Sequence, residues 1–236
     1  AIRVDKPVWT PIARNKCIAS SLLIPQDVSS VLSIEVVPVK PSTVLDACSA
    51  PGLKLSLLIS LYRPLQAVAV DASERRILVE QMLLKKHGID LPRTLLLNAD
   101  ASTIKLSRVF DLAVVDAPCS GLGAVYSDPA VKLNNARRTK LEYYHKLQIS
   151  ILENTLKHAE NVLYITCSIH PREGEEVVEE VAEKGLAEPV PIRHRALSRA
   201  YSGYSISNTT YRLRPEIVNG QGFYIALLES RIAGKR

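Results

Sequence analysis

Two cysteines and a series of acids hold most of the chemistry in this sequence. Cys119 lies in Asp116-Ala117-Pro118-Cys119-Ser120-Gly121-Leu122-Gly123, and Cys167 in Tyr164-Ile165-Thr166-Cys167-Ser168. A thiolate is a strong nucleophile and can carry covalent catalysis. Both thiols are flanked by polar or turn residues, and Cys167 precedes a helix start, a setting that favours the thiolate. The alternative for each is a buried structural thiol, and that is the expectation for Cys17, because free cysteine is among the most buried residue types. None of the four cysteines forms a CxxC pair, which argues against a zinc site. With no secretion signal visible, they read as reduced thiols in a cytoplasmic protein, where a Cys119–Cys167 disulfide is disfavoured.

The acids form a second group. Asp46-Ala47-Cys48-Ser49-Ala50-Pro51-Gly52 joins a strand to a helix. Small residues there let a ligand approach the backbone, and the helix start offers free N–H groups. Asp71 ends the next strand and can accept hydrogen bonds from a ribose. Asp100 follows the third strand, where it or its backbone could meet an adenine amino group. One acid at a strand end is an ordinary solvent-facing residue; acids at three successive strand ends point to a site. There is no GxGxxG and no GxxxxGK[ST], so dinucleotide and phosphate-transfer chemistry find little support. Adenosine without a phosphate fits better, which points to S-adenosylmethionine as cofactor.

These residues need elements to position them. Apolar strands are predicted at 43–46, 66–70, 94–97, 111–115, 161–165 and 223–228, and helical runs alternate with the first five. Ser73 is placed to cap the helix after Asp71, and a Glu-rich helix is expected to start near Pro171. Apolar strands alternating with helices give a doubly wound, mostly parallel α/β sheet with helices on both faces. Ligands bind such sheets outside the carboxyl ends of the strands, where Asp46, Asp71, Asp100, Asp116 and Cys167 fall. The chain divides into an N-terminal helical arm over 1–40 and a core over 41–236.

Composition bounds the rest. The 236 residues suit one large α/β domain. Hydrophobic residues make up 47% and charged residues 23%, which excludes a disordered chain. No apolar run reaches the ~18 residues of a membrane span. The net charge of +6 permits a polyanionic partner without demanding one. Candidate RNA contacts are Lys132, Arg137, Arg138, Arg193, Arg195 and Arg212, with Tyr201, Tyr204 and Tyr211 available to stack on unpaired bases. His145 and His158 read as surface residues, and the acidic run Glu173–Glu180 as a solvated helix face.

The segments DACSAPG, DAPCSGLG and TCSIHPREGEE resemble motifs I, IV and VI of the Sun family of RNA cytosine-5 methyltransferases, over roughly residues 20–230. The resemblance implies a seven-stranded Rossmann-like methyltransferase core and methyl transfer from S-adenosylmethionine to cytosine C5 in tRNA or rRNA. It implies that Cys167 adds to cytosine C6, that Cys119 assists product release and that Asp116 activates the ring at N3 or N4. Lys54 matches the motif I lysine. The cofactor site would comprise Cys48, Ser49, Ala50, Pro51, Gly52, Lys54, Asp71, Arg76, Asp100, Asp116 and Pro118. DNA cytosine-5 methyltransferases share the Pro-Cys nucleophile but lack the Thr-Cys cysteine. The sequence departs from the family pattern in three places. Asp116-Ala117-Pro118-Cys119 replaces Asp-Pro-Pro-Cys, a change expected to be tolerated. Gly52-Leu53-Lys54-Leu55 replaces Gly-Gly-Lys-Thr, so Leu53 is expected to narrow the cofactor turn and Leu55 to remove a hydroxyl. Glu173-Gly174-Glu175 replaces Glu-Asn-Glu. These departures motivate a catalytically weak RNA-binding or assembly factor as the alternative. The chain has no room for a full RNA-binding module, so a protein partner or residues upstream of Ala1 are expected to supply RNA affinity.

Overall fold

A computed structural model describes residues 15–89, 91–125, 128–131 and 138–234. All six predicted strands form: β1 (Thr43–Asp46), β2 (Gln66–Asp71), β3 (Thr94–Asn98), β4 (Phe110–Asp116), β5 (Ala159–Thr166) and, closing the chain, β9 (Phe223–Ser230). Strands β1 to β5 are parallel, in the order β3-β2-β1-β4-β5. β9 runs antiparallel beside β5.

Among the described residues the sheet has nine strands rather than seven. The polar segment before β9 contributes β6 (Ala187–Val190), β7 (Ser198–Arg199) and β8 (Tyr211–Leu213). β8 pairs with the first half of β9 and β6 with its second half, so two short strands share one edge. Strands of two to four residues carry too little periodicity to stand out from a loop.

Alternate residues of the central strands enter opposite layers. Ala113, Val115, Val162, Tyr164, Tyr224 and Ala226 face one layer with Leu152 and Leu156 of α5 (Arg138–Leu156) and Val177 and Val181 of α6 (Glu175–Glu183). Leu112, Val114, Leu163, Ile165, Ile225 and Leu227 face the other with Leu58 of α3 (Leu53–Tyr62). Burial on both faces explains why these strands read as near-continuous apolar runs. α4 (Glu74–Lys86) is capped by Ser73, whose side chain accepts the Arg76 N–H at 3.4 Å. Two short N-terminal helices, α1 (Lys16–Ala19) and α2 (Val28–Glu35), precede β1, and α7 (Pro215–Val218) precedes β9. Ile34, Val36 and Val37 are buried in the same cluster as Val44 and Leu58, so α2 packs as part of the core.

Several expectations are corrected here. Cys17 is exposed on α1, which buries none of its residues. His145 is buried on α5 because its Nδ1 lies 2.8 Å from the Arg172 carbonyl. Leu55 is fully buried among Ala67, Ala69 and Leu84, so it faces the core rather than the cofactor turn. Among the described residues no helix is long and apolar enough to cross a membrane.

Candidate active site

The strand order reverses between β1 and β4, and their carboxyl ends flank a cleft of about 370 Å³ including its open mouth. Asp46, Cys48, Ser49, Ala50, Pro51, Leu53 and Lys54 line it from the first turn, Asp116 from β4 and Ser30 from α2. Gly52 sits at φ +92°, and a Cβ there would lie 2.8 Å from Glu80 Cγ. Only glycine fits this turn, on both backbone and packing grounds. Leu53 is among the residues that line the cleft.

Asp46 is 1% exposed, and among the described residues neither of its oxygens receives a hydrogen bond of good geometry. Burial, then the Glu80 and Asp116 charges, push its carboxyl well above the usual range; Lys54 and the nearby Cys48 N–H offset only part. Asp71 is buried and accepts the Ser73 N–H at 2.9 Å, with Arg76 3.3 Å from its other oxygen. Arg76 also donates to the Ala50 carbonyl, which braces the turn against α4. Asp100 is exposed and caps its own loop through Ser102 N and Oγ at 2.8 and 2.7 Å. The Pro118 carbonyl accepts from Gln148 at 2.7 Å.

Glu80 is a buried member of this region that sequence reasoning passed over. It accepts from Ser49 Oγ at 2.8 Å, and burial raises its pKa to about 7. Its place in a charged helix, four residues beyond Arg76, gave no signal of burial.

Asp116 pairs with Ile165 across β4 and β5, so the Pro-Cys and Thr-Cys loops leave adjacent strands side by side. The two sulfurs lie 3.0 Å apart, and both cysteines are free thiols. The hydrogen bond from Cys119 holds the Cys167 thiol below its ordinary value, against burial and the Asp116 charge, with help from Lys54. Cys119 is pushed the other way, by the same hydrogen bond and by burial. Lys54 Nζ sits 2.6 Å from Asp116 and 5.4 Å from the centre of the Phe223 ring. Burial works against the Lys54 charge, and the Asp116 carboxylate together with Cys167 and Asp46 more than offsets it, leaving the ammonium pKa raised. Of the two, Cys167 is therefore the easier to ionise, and it sits beside an ammonium–carboxylate pair.

Backbone bonds fix the two loops to each other. Gly123 N–H donates to the Cys167 carbonyl at 2.9 Å, and Gly222 N–H to the Gly123 carbonyl at 2.9 Å. Gly174 lies against the Tyr224 ring, where a Cβ would come within 2.8 Å. The space that an Asn side chain would need at this position is filled by that ring.

The expected RNA contacts divide. Arg193 and Arg195 are exposed. Lys132 and Arg137 lie outside the described residues, as does the side chain of Arg138 at the start of α5. Arg212 is a correction: its side chain is 3% exposed and forms an ion pair with the fully buried Glu175. It also donates to the Ser168 carbonyl at 3.1 Å and stacks 4.0 Å from the Tyr201 ring centre. A guanidinium committed to a buried carboxylate and an aromatic face does not reach a phosphate. Tyr204 donates to Glu176 at 3.3 Å, and the Tyr211 hydroxyl accepts the Ile192 N–H at 3.1 Å, so these rings are engaged within the fold.

The strand order, the small-residue turn after β1 and the acid ending β2 define a Rossmann-like domain. The fold is shared with a methyltransferase homologue from Pyrococcus horikoshii at TM-score 0.81 and 24% identity, covering 94% of this chain and 73% of that one. The PH0851 crystal structure matches at TM-score 0.84 and 25% identity, over 94% of this chain and 50% of that one.

Residues 33–229 match the 16S rRNA methyltransferase RsmB/F family, and the chain belongs to that family. The motif resemblance to the Sun family is thereby established. The Caenorhabditis elegans 26S rRNA (cytosine-C(5))-methyltransferase nsun-5 is 30% identical over 88% of this chain and 50% of its own length. A probable ribosomal RNA small subunit methyltransferase B from Coxiella burnetii is 31% identical over 79% of this chain and 43% of its own. The chain thus spans half or less of these two relatives.

Proposed function

We propose that this chain is the catalytic core of an S-adenosylmethionine-dependent RNA cytosine-5 methyltransferase, with Cys167 as the nucleophile. The observation that carries this reading is the 3.0 Å sulfur pair, in which Cys167 is the thiol held low. A DNA-type mechanism would need Cys119 as nucleophile, and its thiol is the one pushed up.

The cleft fits the cofactor. Asp46 offers two buried oxygens without a good donor, a match for an ammonium group. The Cys48–Gly52 turn admits close backbone approach, and Asp71 suits ribose hydroxyls. Bound there, S-adenosylmethionine supplies an electrophilic methyl group.

This chain's own residues do the remaining work. Cys167 adds to C6 of an unstacked cytosine and makes C5 nucleophilic. Asp116, oriented by Lys54, hydrogen-bonds the ring at N3 or N4 and favours the electron flow toward C5. Solvent water takes the C5 proton as elimination breaks the Cys167–C6 bond; the sulfur leaves as the thiolate, and the Cys119 thiol hydrogen-bonds it and keeps it from adding again. Arg193 and Arg195 contact phosphates, with Lys132, Arg137 and Arg138 assigned the same role. A protein partner or a further segment supplements RNA affinity, and a reducing compartment such as the cytoplasm keeps both thiols free.

The test is covalent capture of RNA carrying 5-fluorocytosine in the presence of S-adenosylmethionine. Cys167→Ser should abolish the adduct, while Cys119→Ser should still form it; on unmodified RNA the Cys119→Ser adduct should also accumulate, because its release is slowed. If Cys119→Ser alone abolishes capture, the nucleophile assignment is wrong. Absence of cofactor binding and of methyl transfer to any RNA would favour the assembly-factor reading that Leu53 motivates.

A further inference from the structure

We propose that Glu173 is the positioning residue of the cysteine pair, holding the two cysteine loops in the register that sets Cys119 Sγ against Cys167 Sγ. The inference rests on the reading of Cys167 and Cys119 given above.

Glu173 belongs to the acidic run expected to form a solvated helix face, yet it is fully buried. Pro171–Glu173 form a 3-10 turn, and α6 begins only after Gly174, whose φ and ψ are −133° and −93°. Glu173 precedes the buried Val177 by four residues, and its side chain lies between the two cysteine loops.

Its carboxylate meets the residues that directly follow each cysteine. Oε1 accepts the Ser120 N–H at 2.7 Å. Oε2 accepts the hydroxyls of Ser120 and Ser168, each at 2.5 Å. The main-chain carbonyl of Glu173 accepts from Thr166 Oγ1 at 3.0 Å and Tyr164 Oη at 3.1 Å. One residue thus ties the end of β5, the Thr-Cys loop and the Pro-Cys loop together. A carboxylate suits the task because it accepts only, and three donors converge on it. Its charge also acts on the pair. The hydrogen bond to Cys167 and burial raise Cys119, and the Glu173 carboxylate adds to them, keeping Cys119 a donor.

Glu173 has no contact with the reacting atoms in this scheme and acts through Ser120 and Ser168. Glu173→Gln keeps the shape but places an amide donor where two hydroxyls now donate, and it removes the charge. In the full chain, capture of 5-fluorocytosine RNA should slow by about 10- to 100-fold at saturating RNA, with half-saturation unchanged. Alkylation by iodoacetamide, resolved by peptide mass spectrometry, should show the Cys167-to-Cys119 reactivity ratio falling by about tenfold, one pKa unit. Ser120→Ala and Ser168→Ala should each slow capture, and neither should add fully to Glu173→Gln. These two variants also keep the question open to test should Glu173→Gln fail to fold.

Wild-type capture rate and an unchanged reactivity ratio in Glu173→Gln would overturn the proposal. So would full capture by both serine variants. Cys167→Ser is run beside them. If that variant still captures RNA, the nucleophile reading fails. If it does not, while Glu173→Gln captures normally, only the role of Glu173 fails.

Discussion

Replacing Gly123 by alanine should disable the site through one methyl group. A Cβ at Gly123 would lie 1.8 Å from the Gly222 carbonyl oxygen and 2.9 Å from the Cys167 carbonyl oxygen. Close carbon–oxygen contacts run at about 3.3 Å, so backbone must separate by roughly 1.5 Å. All the opposing atoms are main chain, so no rotamer change relieves the clash. The movement would break the Gly123 N–H bond to Cys167 and the Gly222 N–H bond to Gly123, both 2.9 Å. Overpacking costs about 1–3 kcal/mol and each of the two lost hydrogen bonds about 1 kcal/mol, giving a loss of roughly 3–5 kcal/mol. For a domain of this size that lowers Tm by about 6–20 °C. A displacement near 1 Å beside the nucleophile can cost about 100-fold in rate. The assay is 5-fluorocytosine capture at a temperature where the variant remains folded. Gly185→Ala is the control: Gly185 has φ +67° and nothing within 4 Å, so it should lose about 1 kcal/mol of stability and no activity. Capture by Gly123→Ala within threefold of wild type, or an equal loss in both variants, would refute the reasoning.

Other expectations follow from burial. Leu55→Thr restores the family's threonine yet should destabilise the chain by about 2–4 kcal/mol in chemical denaturation, because the side chain fills a core site; calorimetry should show no gain in S-adenosylmethionine affinity. Glu80 is raised from 4.5 to about 7 in the folded state, so the native chain holds its proton more tightly. Its contribution is full below pH 4.5 and is lost as pH rises toward 7, by up to about 3 kcal/mol; Glu80→Gln should flatten that part of the stability profile. Arg212→Ala should cost about 3–5 kcal/mol by stranding Glu175, and replacing both by Leu should recover much of it. RNA affinity of the folded Arg212→Ala protein should keep its salt dependence, whereas Arg193→Ala should reduce the slope by about one.

The sequence by itself determined the parallel sheet, the turn at Asp46–Gly52 and the placement of both cysteines at strand ends. These are local properties: apolar runs of strand length, small residues at a turn, and polar residues where a strand stops. The motif resemblance determined the family. Tertiary structure decided what depends on side chains distant in the chain. Arg212 looked like an RNA contact until Glu175, 37 positions away, claimed its guanidinium. Leu55 looked like a lost cofactor hydroxyl until Ala67, Ala69 and Leu84 closed around it. Glu173 looked solvated because it opens a run of acids. Ser120 and Ser168, from the two cysteine loops, close around its carboxylate. A charged residue buried by its partners carries the same letter as one in water, and only the packing distinguishes them.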